Sequence, residues 1–339
     1  MSVIETRSTL GDKFIKGLSA KVFELKNQVD QAYVMPFASA LGVENNSMTG
    51  LFKMKNTDQA REVVTGKSGV GEGALTAEGA DYASDSRVST YETEFRPSKR
   101  TNGITITEED REDRIVDRKL DQAKDLMVGH KMDIVQDAFS LFNKSFTAQA
   151  SLASQFLTFY GDAKPFCSTL HPLKDSINST TTQSNASATG IALTETNLET
   201  GRTAVRRQLG DRGRPMNIGS GGLILLVPDA LEKQAIITTR GTKRPNTANN
   251  DINIYDGIIT VISTKWINAQ NGGSDTQWFL IDGQSSPVWF MERNASRIRS
   301  YLTDSNKNFT VDIMSRYQIG NVDFRGVWGS KGDGAGYSA

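Results

Sequence analysis

Residues 107–141 read TEEDREDRIVDRKLDQAKDLMVGHKMDIVQDAFSL and form the longest periodic stretch in the chain. Apolar positions and one histidine recur three or four residues apart, at Val116, Leu120, Ala123, Met127, His130, Ile134, Ala138 and Leu141. This spacing places them on one face of a helix. Thr107 and the three acidic residues after it are typical of a helix N-terminus, where side-chain acceptors and negative charge satisfy free NH groups. The stretch predicts one helix of about 35 residues, roughly 50 Å long, acting as a structural spine.

The segment before this helix is predicted to be an extended arm. Five glycines fall between Gly66 and Gly79, and apolar and polar residues alternate at 91–95 and 104–106. We expect two long, mostly exposed strands joined by a glycine-rich connection. Further upstream, residues 12–34 have the spacing of a short amphipathic helix ending near Pro36. Such a helix must pack on something else to be stable.

The chain after the spine predicts a mixture of short helices and strands. Residues 161–192 are irregular, and 178–190 (NSTTTQSNASATG) form a polar loop. A helix is expected over 198–209, opened by Thr196 and Glu199 and closed by Gly210. The predicted strands are 223–227, 252–254, 258–263, 278–281 and 288–291, followed by long antiparallel strands between 298 and 328.

Charge is balanced over the whole chain but not along it. The 339 residues carry 39 Lys plus Arg and 39 Asp plus Glu, which excludes a polycation and an acidic tail. Residues 201–250 hold nine basic and three acidic residues, whereas 101–150 hold seven and ten. The basic block is either an ordinary solvated surface or a face complementary to nucleic acid or to a neighbouring copy. The residues of interest are Arg202, Arg206, Arg207, Arg212 and Arg214.

Sequence motifs for catalysis, metals or cofactors are weak. Gly66-Lys67-Ser68 resembles the end of a phosphate-binding loop, but Arg61 occupies the position of its first glycine. Cys167 and His171 lie four residues apart and raise the alternative of a thiol-dependent hydrolase or a metal site, although Pro172 disfavours a shared helix face. No window approaches the ~18 apolar residues of a membrane span. We therefore expect no catalytic residue, cofactor, metal or membrane partner.

Several segments, in this order, are similar to those of one protein family. Residues 165–172 (PFCSTLHP) are similar to a Phe-Ser-Thr-x-His-Pro segment, with Cys167 as a departure. The other similar segments are 193–194 (LT), 223–235 (LILLVPDALEKQA), 276–281 (TQWFLI) and 322–328 (VDFRGVW). With the arm, the spine and the closing strands, they resemble the major capsid protein of tailed bacteriophages, and more narrowly the Mu-type major head subunits.

The resemblance implies an α+β fold of the Hong Kong 97 type, with an N-terminal arm, an extended β-hairpin loop, a peripheral domain containing the spine helix, and an axial domain. The implied boundaries are 1–49 for the N-terminal arm with its amphipathic helix, 50–106 for the extended loop, 107–189 for the peripheral domain with its irregular loop, 190–285 for the axial domain, 286–330 for returning peripheral strands, and 331–339 for a flexible tail.

The resemblance also implies a structural function. Such subunits form hexamers and pentamers that close into an icosahedral virion capsid around double-stranded DNA, assembled in the bacterial cytoplasm. Further implied partners are portal and scaffolding proteins and a decoration protein. Only about 50 residues precede the loop, so scaffolding is expected from a separate protein. The alternatives are an encapsulin-like cargo compartment and the hydrolase using Cys167 and His171.

Overall fold

The computed structural model describes residues 16–27, 50–68, 73, 75–82, 84–85, 89–113, 116–152, 155–174, 181–241, 253–303 and 308–336. The helices are α1 (16–27), α2 (Glu108–Glu112), α3 (Val116–Asn143), α4 (Glu195–Arg206) and α5 (Glu232–Thr239). The strands are β1 (Lys53–Asn56), β2 (Glu62–Lys67), β3 (Ser89–Phe95), β4 (Ser98–Ile106), β5 (Leu157–Thr158), β6 (His171–Pro172), β7 (Thr182–Gln183), β8 (Leu223–Pro228), β9 (Ile259–Thr264), β10 (Trp278–Asp282), β11 (Val288–Leu302), β12 (Phe309–Asn321) and β13 (Val327–Ser330).

The first main sheet has the strand order β1–β11–β12–β4, with β5 also paired to β12. Strand β12 is antiparallel to both of its neighbours, β4 and β11. Along β12 the odd-numbered residues Phe309, Val311 and Ile313 are buried, while the even-numbered residues between them are half-buried. This two-residue period is expected of a strand with one face against a core.

Helix α3 covers the buried face of this sheet. Leu120, Ala123 and Met127 of α3 share a core with Ile106 of β4 and with the buried β12 residues. Two polar contacts add to the packing: the ring Nε2 of His130 lies 2.9 Å from Ser315 Oγ, and the Tyr317 hydroxyl donates to Asp137 Oδ2 at 2.6 Å. From Leu120 to Leu141 the predicted stripe is therefore buried, as its spacing requires.

The prediction of one unbroken helix from residue 107 is wrong. Thr107 does begin a helix, because its Oγ1 accepts from Asp110 N at 3.2 Å and its own N donates to Asp110 Oδ2 at 3.1 Å. That helix, α2, stops after five residues, and a turn at Asp113 precedes α3. Helix α3 has 28 residues, or roughly 42 Å. Residues 108–113 are polar and have no apolar side chain to hold them on the sheet.

The short N-terminal helix packs on the same core. Leu18 and Val22 of α1 are buried beside α3, and Ile298 and Leu302 of β11 pack against the same cluster. The helical residues 16–27 agree with the amphipathic pattern predicted for 12–34. The predicted end near Pro36 lies outside the described residues.

The second main sheet has the order β13–β10–β8–β9. Its strand β8 is buried at every residue, as expected of an apolar run with both faces covered. Leu198 and Val205 of α4 pack on this sheet with Trp278 and Trp328. The two sheets meet in an aromatic core, where the rings of Phe142 and Phe279 lie 5.3 Å apart.

Three further predictions need correction. Helix α4 begins at Glu195, because Thr194 and not Thr196 is the N-cap, and it ends at Arg206 before Gly210. Residues 253–254, the described part of the predicted strand 252–254, are not in a strand. The last strand, β13, pairs with β10 of the second sheet, although 286–330 was expected to stay with the first. Gly326, at a φ of 85°, lies in the turn that redirects the chain.

Candidate functional site

The extended arm leaves the body as a two-stranded sheet. Strands β2 and β3 pair antiparallel, with Glu62 opposite Phe95. The base of the arm is anchored, because Phe95 is buried and stacks on Trp289 at 6.3 Å. Thr158 Oγ1 also donates to Glu94 O at 2.8 Å.

The described part of the arm end, residues 75–82, is exposed to solvent. Every residue from 75 to 82 is exposed, and the side chains of Leu75 and Tyr82 are 105% and 96% exposed. One turn orders part of this segment, since Ala80 N donates to Ala77 O at 3.1 Å. Asp85 then accepts from Arg212 Nη1 at 2.5 Å. Exposed apolar side chains on an arm indicate a surface meant for another molecule.

The structure divides the five predicted basic residues into two groups. Arg202 forms an ion pair with Glu199 within α4, with Nη1 and Oε2 3.1 Å apart, and Arg212 forms an ion pair with Asp85 of the arm. Arg206, Arg207 and Arg214 are exposed. The composition of the block shows an excess of basic residues but does not reveal that Arg202 and Arg212 form contacts within the chain.

An open groove of 820 Å³ runs beside α4 and is lined by Glu195, Glu199, Arg207, Ile254 and Tyr255, among others. The Tyr255 hydroxyl donates to Glu199 Oε2 at 3.1 Å. Burial is the main cause that raises the pKa of Tyr255 to about 12, and the hydrogen bond and negative charge of Glu199 are the second. A protonated tyrosine bonded to a carboxylate offers neither a free base nor a nucleophile, so Tyr255 and Glu199 are not arranged as a catalytic pair.

Cys167 and His171 do not form a catalytic pair, and the hydrolase alternative is wrong. The His171 Nδ1 lies 2.6 Å from Asp162 Oδ2, and its Nε2 lies 3.1 Å from Asn185 Oδ1, so both ring nitrogens are engaged by residues other than Cys167. Burial raises the pKa of the Cys167 thiol well above its usual range. An active cysteine needs the opposite shift, because the thiolate is the nucleophile.

The His171 cluster instead joins separate parts of the chain. The Asn185 amide nitrogen donates to Phe166 O at 2.8 Å and to Phe324 O at 3.1 Å, and the His171 ring stacks on that of Phe324 at 4.1 Å. Sequence reasoning missed Asp162 and Asn185, because both lie in irregular segments without a periodic pattern. Among the described residues, no group of three His, Cys, Asp or Glu side chains is placed to hold a metal. No described helix is long and apolar enough to span a membrane.

Comparisons with known proteins identify relatives over most of the chain. A family model described as "Phage capsid protein" matches residues 90–330. Curated proteins give no match. Among solved structures, the capsid of Ralstonia phage GP4 has a TM-score of 0.50 at 12% identity, covering 87% of this chain and 89% of that one. The structure titled Mycobacterium phage Patience has a TM-score of 0.50 at 13% identity, covering 92% of this chain and 90% of that one. The capsid of bacteriophage JBD30, decorated with minor capsid protein trimers, has a TM-score of 0.47 at 14% identity, covering 66% of this chain and 92% of that one.

Proposed function

Because the chain belongs to the phage capsid protein family, whose members are structural components of the virion and not enzymes, we propose that it is the major subunit of an icosahedral shell. Copies form hexamers and pentamers that close around double-stranded DNA. Closed assemblies need complementary surfaces on each copy, and the exposed arm provides one of them. The observation that carries this proposal is the family match over residues 90–330, with the Hong Kong 97 fold of the two capsid structures at TM-score 0.50.

The proposed peripheral and axial domains correspond to the two main sheets. Within the expected loop range 50–106, the arm built on β2 and β3 is the extended loop that lies across an adjacent subunit, whereas β1 and β4 pair within the first sheet. The first sheet with α3 is the peripheral domain, and 190–285 with β13 is the axial domain, whose contacts build each capsomer. This division is supported by the separate strand orders of the two sheets. The final strand is assigned to the axial side because it pairs with β10.

The proposed partners extend beyond the subunit itself. Arg206, Arg207 and Arg214 are exposed cations suited to phosphates of packaged DNA, without base preference, or to acidic residues of a neighbour. The other proposed partners are a portal, a separate scaffolding protein and a decoration protein. The family description favours a phage shell over an encapsulin-like cargo compartment. Within the family, the segment 165–172 supports a relationship to Mu-type head subunits.

Sedimentation of the purified chain tests the shell proposal. Material that sediments as rings or shells, and is resolved as such by negative-stain electron microscopy, is the expected result. A monomer over all tested salt, pH and protein concentrations would contradict it. Uniform shells of one size from this chain alone would exclude the need for separate scaffolding while leaving the shell function intact.

A further inference from the structure

His171 lies between segments that belong to the two main sheets. Asp162, at one ring nitrogen, follows β5, which pairs with β12 of the first sheet. Asn185, at the other ring nitrogen, is held to the second sheet, because its carbonyl oxygen accepts from Gly329 N of β13 at 3.0 Å. Phe324, which stacks on the ring, lies in the connection between β12 and β13. The His171 ring therefore links the two sheets through its own hydrogen bonds.

The hydrogen bonds of Asn185 fix the orientation of its amide. The amide nitrogen donates to Phe166 O at 2.8 Å and to Phe324 O at 3.1 Å, and a carbonyl oxygen can only accept. Asn185 Oδ1 accepts from Ser168 N at 2.8 Å. The Nε2 of His171 lies 3.1 Å from the same Oδ1, so this ring nitrogen is a donor and carries a hydrogen.

The other ring nitrogen of His171 also carries a hydrogen. Its Nδ1 lies 2.6 Å from Asp162 Oδ2, a distance that requires a proton between the two atoms. The second carboxylate oxygen of Asp162 accepts from Lys164 N at 3.1 Å. An imidazole binds a proton more tightly than a carboxylate does, so the shared proton resides on the ring. His171 is then an imidazolium ion, and Asp162 is its counter-ion.

The burial of Asp162 supports this charge state. Its side chain is completely buried, and among the residues that the structure describes, His171 is the one cation that pairs with it. A neutral ring would leave this carboxylate buried without a counter-charge, which is strongly unfavourable. The ring also stacks on Phe324, with centroids 4.1 Å apart and an angle of 3° between the planes, and an aromatic face attracts a cation.

The neighbouring charged groups do not replace His171 as the partner of Asp162. Arg325 is already paired with Asp211 and Asp323. Lys174 is exposed, and its Nζ lies over the ring of Tyr91 at 5.2 Å. Burial raises the pKa of both nearby tyrosines, so they stay protonated and neutral near pH 7. The groups considered are Tyr91, Tyr160, Lys174, Asp211, Asp323 and Arg325.

We propose that His171 is a proton-dependent joint between the two main sheets: the imidazolium ion holds Asp162 and Asn185 together, and loss of one ring proton as the pH rises loosens this contact. Without that proton, one ring nitrogen faces an oxygen acceptor with no hydrogen between them, and the buried hydrogen bond is lost. The joint is a property of the single subunit, so it is independent of the shell function.

Nitrogen-15 NMR of a chain labelled at histidine tests the charge state directly. The chain has two histidines, and His130→Leu assigns the signals. At pH 7, both ring nitrogens of His171 should have the chemical shifts of protonated nitrogens, whereas one ring nitrogen of His130 should have that of an unprotonated one. An unprotonated nitrogen in the His171 ring at pH 7 would overturn the proposal. This measurement leaves the His171 cluster unmodified.

Unfolding in denaturant tests what the proton does. The folded chain binds one more proton than the unfolded chain, whose histidines release theirs above about pH 6.5. The folding equilibrium constant should therefore fall on the order of tenfold between pH 6.5 and pH 8 relative to Asp162→Asn. In that variant the amide nitrogen can donate to Nδ1 of a neutral ring, so no extra proton is needed. Groups that titrate elsewhere contribute to both proteins and cancel in the comparison.

Asp323→Asn is the matched control for Asp162→Asn. It removes an acidic group from the same region that pairs with Arg325 and not with His171, so the pH dependence of the unmodified chain should remain. Equal pH dependence in the unmodified chain and in Asp162→Asn would overturn the proposal.

Amide hydrogen exchange at Gly329 tests whether the proton acts at the joint. Its amide donates to Asn185 O, so it exchanges when this contact opens. The ratio of its exchange rate in the unmodified chain to that in Asp162→Asn should rise on the order of tenfold between pH 6.5 and pH 8. An unchanged ratio would show that the joint does not depend on the proton, and would leave the shell function untouched.

Discussion

Arg325 and Asp211 form a buried ion pair that joins the turn after α4 to the turn before β13. The Arg325 Nη2 lies 2.7 Å from Asp211 Oδ1, and both side chains are 5% exposed. Arg325 also donates from Nε to Leu209 O at 2.8 Å and from Nη1 to Asp323. All three guanidinium nitrogens therefore donate to an acceptor, which is the condition under which a buried charge is tolerated.

Replacing Arg325 with Met should destabilise the folded subunit by about 3–5 kcal/mol, because Asp211 keeps its burial and loses its cation. The free energy of unfolding is measured in denaturant on the unassembled subunit. Adding Asp211→Leu should restore part of the loss, since the orphaned carboxylate is then removed. Arg214→Met, at an exposed position, is the matched control and should change stability little. A loss no greater than this control would show that the pair is not structural.

His130 should make stability depend on pH. Burial lowers the pKa of His130 below its usual value, so the folded chain keeps it neutral, whereas the unfolded chain binds a proton below about pH 6.5. The contribution of neutral His130 to the free energy of unfolding is fully present above pH 6.5. It is lost as the pH falls toward the lowered pKa of His130 in the folded chain. Between pH 7 and 5.5, the native chain should lose up to about 1.4 kcal/mol more than His130→Leu. Equal losses in the two proteins would refute this assignment.

Two glycine-to-alanine substitutions should have opposite signs. A Cβ at Gly320 of β12 would lie 2.3 Å from Thr158 Cγ2 and 2.6 Å from Thr158 O, so Gly320→Ala should cost about 1–3 kcal/mol through overpacking. Gly129 lies inside α3, and nothing is within 4 Å of its added Cβ. Gly129→Ala should therefore stabilise the subunit by about 1 kcal/mol through helix propensity. Denaturant unfolding of both variants measures the difference, and two changes of the same sign would contradict it.

The thiol of Cys167 should be inert in the folded protein. Its burial and raised pKa keep it protonated and shielded from reagents. A thiol-specific reagent should label the native subunit negligibly and label one thiol per chain after unfolding. Cys167→Ser should assemble normally, since no chemistry depends on the sulfur. Rapid labelling of the native protein would show that the site opens.

How much the sequence predicts depends on whether a feature is local. The spacing of the apolar residues predicts one buried helix face, and from Leu120 to Leu141 that face of α3 packs in two hydrophobic clusters. The N-cap at Thr107 is equally local. The break at Asp113 was missed because apolar spacing does not show where a helix loses its packing partner. Likewise, the return of β13 to the second sheet depends on pairing with β10, which lies 45 or more residues earlier in the chain.

The pairing of surface charges was less predictable from the sequence than the helices and strands were. The basic block at 201–250 was visible as composition, but the ion pair between Arg212 and Asp85 joins residues 127 positions apart. The adjacency of Lys99 and Arg316 was not predicted, since these two residues become neighbours only through the register of β4 and β12. Composition records which charges a segment holds, whereas only the fold determines which of them are neutralised.

Cryo-electron microscopy of the purified chain, with and without co-expressed scaffolding, tests the shell function most directly. Closed angular particles are predicted, with five-fold and six-fold clusters of subunits and the arm of each copy crossing its neighbour. Monomers in every condition, or particles in which the arm folds back on its own subunit, would contradict it.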